Sequence, residues 1–80
     1  PIVFSKAPTA VIGPGQAIQI PRATTEVDYE VEMAFVIGQE CKEIDAKDAY
    51  DYIAGYTILN DVSARDYQLK KGGGQWHLGK

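Results

Sequence analysis

Histidine, cysteine, tryptophan and methionine each occur only once in this 80-residue chain. A single histidine, His77, excludes a histidine-based catalytic triad or zinc cluster built within the segment. A single cysteine, Cys41, excludes an internal disulfide and fits a reducing interior. No apolar run approaches the roughly 20 residues that cross a bilayer. Lys and Arg number 8 against 11 Asp and Glu, a net charge of −3 with no basic stripe, which argues against a nucleic-acid surface. Repeats, low-complexity tracts and a targeting peptide are not visible either.

What remains is ordinary globular material, with 45% hydrophobic and 24% charged residues. A chain this size makes one small domain at most and buries only about 60% of its unfolded surface. Pro1-Ile2-Val3-Phe4 reads as a strand with nothing before it, and Gly79-Lys80 stops without a capping signal. The expectation is therefore a piece of a larger domain, β-rich, of the α+β class, with one or two short helices.

Along the chain, Ile2 to Phe4 is a short strand candidate and Gly13-Pro14-Gly15 a turn. Alternation over Ala17-Ile18-Gln19-Ile20 predicts a second strand, ended by Pro21. Residues 27 to 37 form the longest strand candidate, rich in β-branched and aromatic residues and stopped by Gly38. Asp45 is placed as a helix N-cap, with Ala46, Ala49, Tyr50 and Ile53 at helical spacing and Gly55 just past the end. Tyr56 to Leu59 reads as a short buried strand. Ser63 to Asp66 has capping-box spacing, predicting a helical turn from Ala64 to about Lys70. The run Gly72-Gly73-Gly74 is a loop.

Two clusters carry chemistry. On an extended strand Asp28, Glu30 and Glu32 share one face with Ala34 and Val36, while Tyr29, Val31, Met33, Phe35 and Ile37 fill the other. Beyond Met33 both faces are apolar, so the strand is expected to enter a covered core with two carboxylates at its mouth. Glu30 and Glu32, with Cα atoms about 6.8 Å apart, can share one hard cation. From spacing alone a solvated acidic strand end is the favoured reading, and Asp28 fits a turn or bridge residue better than a ligand.

The second cluster is Asp61, Arg65 and Gln68, at a strand-to-helix corner where three polar side chains can face one way. They could hold a metal and an anionic substrate together. A local Asp61–Arg65 ion pair with Gln68 in solvent is the plain alternative. Asp66 reads as a cap, Trp76 as a packing residue and His77 as structural. Spacing alone leaves Lys80 a surface lysine.

Taken in order, Phe4-Ser5-Lys6, Gly13-Pro14-Gly15, the run from Val27 to Gly38 containing Asp28-Tyr29-Glu30-Val31-Glu32, Ala54-Gly55-Tyr56, Asn60-Asp61-Val62-Ser63-Ala64-Arg65-Asp66-Tyr67-Gln68 and Gln75-Trp76-His77-Leu78-Gly79-Lys80 resemble the fumarylacetoacetase (fumarylacetoacetate hydrolase) family, in its domain-containing-protein branch. The resemblance covers nearly the whole chain. It implies residues 1–80 of a catalytic domain with a mixed β-sheet fold, whose C-terminal part lies outside this segment. It implies that Glu30, Glu32 and Asp61 ligate a divalent cation: Mg²⁺, or Ca²⁺ or Mn²⁺. Arg65, Gln68 and Lys80 then match catalytic and substrate-lining residues, with Lys6 nearby at the substrate.

The implied activity belongs to the full-length protein, with the segment alone expected to be inactive. It is metal-assisted chemistry on a small 2-oxo acid through an enolate: C–C hydrolysis, decarboxylation or keto–enol tautomerisation. No general base is assigned. The resemblance further implies a homodimer with no nucleic-acid or membrane partner, in an intracellular compartment, mitochondrial or cytoplasmic. A non-catalytic cation-binding module of the same fold is the alternative, and an inert β-rich domain would require the motif order to be accidental.

Overall fold

The computed structural model describes residues 1–80. The backbone divides into two compact units: Pro1–Tyr29 together with Asp61–Lys80, and the intervening Glu30–Asn60.

The intervening unit is a two-stranded antiparallel sheet. Strand β2 (Val31–Ile37) pairs with β3 (Ile53–Asn60), beginning with Val31 opposite Asn60 and running to Val36 opposite Gly55. The register then slips so that Ile37 faces Ile53. Ala54 is thereby bulged out of the ladder, and a side chain at Gly38 would place its Cβ 2.9 Å from that of Ala54. Glycine at 38 is required by this close approach.

Seven residues, Ala46–Tyr52, connect the strands as a 3-10 helix rather than the expected α-helix. Its last carbonyls have other partners: Tyr52 O accepts from Gly38 N at 2.8 Å and Asp51 O from the Gln39 side chain. The chain passes directly into β3, so Gly55 lies inside a strand, not past a helix end. Asp45 stands at the N-cap position but its side chain makes no capping hydrogen bond.

The flanking unit holds a short antiparallel ladder, β1 (Val27–Asp28) against β4 (Ser63–Ala64). Arg65 N extends it by donating to Glu26 O, and Ala64 N donates to Gly79 O. A π-helical turn, Tyr67–Lys71, follows, closed by Gly72 N donating to Tyr67 O. Two 3-10 turns complete the unit, Pro8–Ala10 and Trp76–Leu78. The turn at Gly13–Gln16 forms as expected, with Gly15 at φ 78°.

Several expectations need correction. The single strand from 27 to 37 is broken at Tyr29-Glu30, giving β1 and β2. The segments Ile2 to Phe4 and Ala17 to Ile20 have no ladder partner and are not strands. Ser63 and Ala64 are strand, and Ser63 Oγ donates to Asp61 O instead of capping a helix.

The covered core expected beyond Met33 is absent from these 80 residues, which bury no apolar side chain; Met33 is 77% exposed. A two-stranded sheet cannot cover either of its own faces. The buried side chains are polar instead: Thr24, Asp61, Ser63, Asp66 and Gln68. Buried polar groups persist only when hydrogen-bonded, and Asp66 shows how.

Asp66 caps the π-helical turn as expected of a capping residue, accepting from Tyr67 N at 3.0 Å. The same oxygen accepts from Thr24 Oγ1, and the other pairs with Lys71 Nζ at 2.7 Å. Hydrogen bonds from Lys71 and Thr24 hold the Asp66 carboxyl down at about 2, and Asp66 in turn raises Lys71. A carboxyl whose folded-state pKa lies below its unfolded value stabilises fully above the unfolded value and loses that effect as pH falls through the folded one. In the intact protein the Asp66 contribution should therefore fade between about pH 5 and pH 2. Denaturant unfolding across that range should show a shallower acid limb for Asp66→Asn than for the parent. An identical limb in both would contradict the assignment.

Candidate metal centre

Asp61 leaves the end of β3 and is 1% exposed. Two lysines meet it from opposite directions in sequence. Lys6 Nζ lies 2.6 Å from Oδ1 and donates to Val62 O at 2.9 Å, while Lys80 Nζ donates to Oδ2 at 2.8 Å. Burial pushes the Asp61 carboxyl up, but the two ammonium groups outweigh it and hold the carboxyl below its ordinary range. Asp61 is accordingly an anion in the folded chain. Oδ1, although ion-paired, accepts no well-directed hydrogen bond and keeps a lone pair for a cation.

Lys80 reaches Asp61 because Gly79 lets the backbone close in. A Cβ at position 79 would lie 2.6 Å from Gln68 N and 2.8 Å from Ala64 O. No side chain fits there, so the spacing of Gly79 and Lys80 is a packing requirement.

Arg65 is held in a different partnership from the local Asp61–Arg65 pair that spacing allows. Its Nε donates to Asp28 Oδ2 at 3.1 Å, and one terminal nitrogen donates to Gln68 Oε1 at 3.0 Å. Gln68 is buried, not in solvent. Arg65 and Gln68 thus share a face, and Asp28 is the bridge residue that its position suggested. Two fixed acceptors orient the guanidinium plane, which favours forked binding of a carboxylate.

Glu30 and Glu32 bracket Val31, the first residue of β2, and Glu30 N donates to Asn60 Oδ1 at 3.2 Å. Asn60 is the rung opposite Val31, and Asp61 is the next residue in the chain. Glu30 and Glu32 thus stand at one end of the β2–β3 sheet. Carboxylate oxygens of this kind are ligands for a hard divalent cation.

Sequence reasoning placed Lys6 and Lys80 at the substrate and missed that both hold Asp61. Phe4 was not singled out; its ring lies 5.8 Å from that of Trp76, at 40°. Lys80 Nζ sits 4.8 Å from the centre of Phe4 and 5.7 Å from that of Trp76. Thr24 and Lys71 likewise carried no signal, because a polar residue in a loop shows its partner only once the chain has folded.

Comparison with known proteins gives the family. Residues 1–80 match the family described as fumarylacetoacetate (FAA) hydrolase C-terminal, and the chain belongs to that family. It is 52% identical over its whole length to oxaloacetate tautomerase fahd2, mitochondrial, of Xenopus laevis, and spans 25% of that protein. Against fumarylacetoacetate hydrolase domain-containing protein 2 homolog of Dictyostelium discoideum the identity is 55%, over 26% of the relative. The human oxaloacetate tautomerase FAHD2A, mitochondrial, is 49% identical, again over 26% of its length. Among solved structures, Cg1458 superposes with a TM-score of 0.89 at 48% identity, over 96% of this chain and 29% of that one. The chain thus spans about a quarter of the relatives it matches, and its partial fumarylacetoacetase C-terminal fold, mixed sheet with few short helices, is shown by the family match and by Cg1458.

Gly79→Ala should lower the stability of the intact protein by about 1–3 kcal/mol, the usual range for overpacking. Denaturant midpoints measure it. An unchanged midpoint would mean that the backbone at 79 has room to spare.

Proposed function

We propose that the intact polypeptide containing this chain is a divalent-metal-dependent enzyme acting on small 2-oxo acids, with keto–enol tautomerisation of oxaloacetate as its reaction. The observation that carries this reading is the buried Asp61 carboxylate held as an anion by Lys6 and Lys80, in a chain whose whole length matches the family. The tautomerase names of two relatives support the choice of reaction over C–C hydrolysis or decarboxylation.

Glu30, Glu32 and Asp61 hold the cation, and Mg²⁺ fits this all-carboxylate set; Ca²⁺ and Mn²⁺ accept the same donors. When bound, the cation supplies a Lewis acid that polarises the substrate's oxo group. Three carboxylates around a dication leave a charge of about −1, which Lys6 and Lys80 reverse. An anionic substrate is thereby attracted rather than repelled. Arg65, set by Asp28 and Gln68, grips the substrate carboxylate and keeps the carbon skeleton in one orientation. Lys80 adds positive charge where the enolate oxygen develops, an interaction stronger in the transition state than in the ground state. Lys6 fixes Asp61 from its other side. The proton-transfer base is assigned to no residue of this chain.

The mitochondrial names of the same relatives support a mitochondrial location. The homodimer implied by the family likeness is proposed on the same footing.

Calorimetric titration of the intact protein with Mg²⁺ should show one site per chain. Glu30→Gln combined with Asp61→Asn should weaken it by more than about 100-fold, beyond what losing a ligand's own hydrogen-bond partner costs. Unchanged affinity would end the metal assignment. Oxaloacetate tautomerisation, followed in the ultraviolet, should fall with Arg65→Ala; Mg²⁺ binding without any turnover would identify a cation-binding module instead.

A further inference from the structure

We infer that Phe4 and Trp76 form an aromatic clamp that holds the Lys80 ammonium against Asp61, which makes both rings positioning residues for the reaction proposed above. This inference rests on that reading for its effect on rate, though not for the clamp itself.

The Lys80 side chain is 1% exposed. A buried ammonium is costly unless its charge is met. Asp61 Oδ2 meets it along one direction, at 2.8 Å. Phe4 and Trp76 present their rings at 4.8 and 5.7 Å from the same nitrogen, inside the range where the negative ring face attracts a cation. The rings are tilted 40° to one another, so they make a wedge around the nitrogen and not a flat stack.

Aromatic walls differ from polar partners in two ways. They attract the cation without taking a hydrogen-bonding proton from it, and they exclude water that would otherwise compete for Asp61. The wedge also ties two distant stretches of chain to one atom. Phe4 lies two residues before Lys6, whose nitrogen lies 2.6 Å from the other oxygen of Asp61. Trp76 lies four residues before Lys80, in the 3-10 turn that leads to it. One stretch supplies a ring and a lysine, and so does the other. Asp61 is set between two lysines, and the ring pair touches one of them, Lys80.

The test uses the intact protein. With ¹³C-labelled lysine, the Lys80 Cε protons should resonate upfield of ordinary lysine because they lie beside two rings, and Phe4→Leu should move them back toward the ordinary position. In tautomerase assays, Phe4→Leu and Trp76→Leu should lower kcat about 3- to 30-fold, the range expected for a desolvated cation–π contact, with KM within about twofold. Phe4→Tyr and Trp76→Phe, which keep a ring face, should recover most of that rate. A merely apolar packing role predicts instead that leucine serves as well as the aromatic replacements. An ordinary Lys80 resonance in the parent protein, or equal kcat in the leucine and aromatic variants, would overturn the clamp. Absence of turnover in the parent would defeat the proposed function, and the resonance would still decide the clamp.

Discussion

Burial of one carboxylate, Asp61, between two ammonium groups is the interaction on which the rest of the site depends. An aspartate with 1% exposure is tolerated only as a paired anion. Lys6 and Lys80 make it one, and the neighbouring structure is arranged to deliver them. The N-terminal stretch brings Lys6, and the close approach of Gly79 to Gln68 and Ala64 brings Lys80. With its charge secured, Asp61 stays an anion in the folded chain. The same buried layer includes Gln68, which orients Arg65, and Asp66, which anchors the turn carrying Gln68. Polar contacts, rather than an apolar core, organise this part of the molecule.

That pattern also explains how much was legible in the residues. Motif order identified the family, because Asp28-Tyr29-Glu30-Val31-Glu32 and Asn60-Asp61-Val62-Ser63-Ala64-Arg65 are specific in combination. Periodicity found the β2 strand and the Gly13 turn. It failed where long-range partners decide the local form. A helix was expected at Ala46, but its final carbonyls bond to Gly38 and Gln39, and a 3-10 segment results. Alternation at Ala17 to Ile20 lacked a neighbouring strand to pair with. The break at Tyr29-Glu30 shows that the shared face expected for Asp28, Glu30 and Glu32 rested on a strand that is not continuous.

Many apolar residues of the sheet are exposed in this chain. Val31, Met33 and Phe35 stand on one face of the sheet with Ile58 and Tyr56 opposite, and all are more than half exposed. This chain corresponds to about a quarter of its relatives. A sheet face of this composition is the kind that another surface covers.

The central claim, proposed from the family likeness, is that Glu30, Glu32 and Asp61 are ligands of one dication. Anomalous diffraction from crystals of the intact protein grown with Mn²⁺ and oxalate tests it most directly. The account predicts a single metal peak within about 2.0–2.6 Å of oxygens from Glu30, Glu32 and Asp61 together. A peak that leaves Asp61 out, or no peak at these residues, would contradict it.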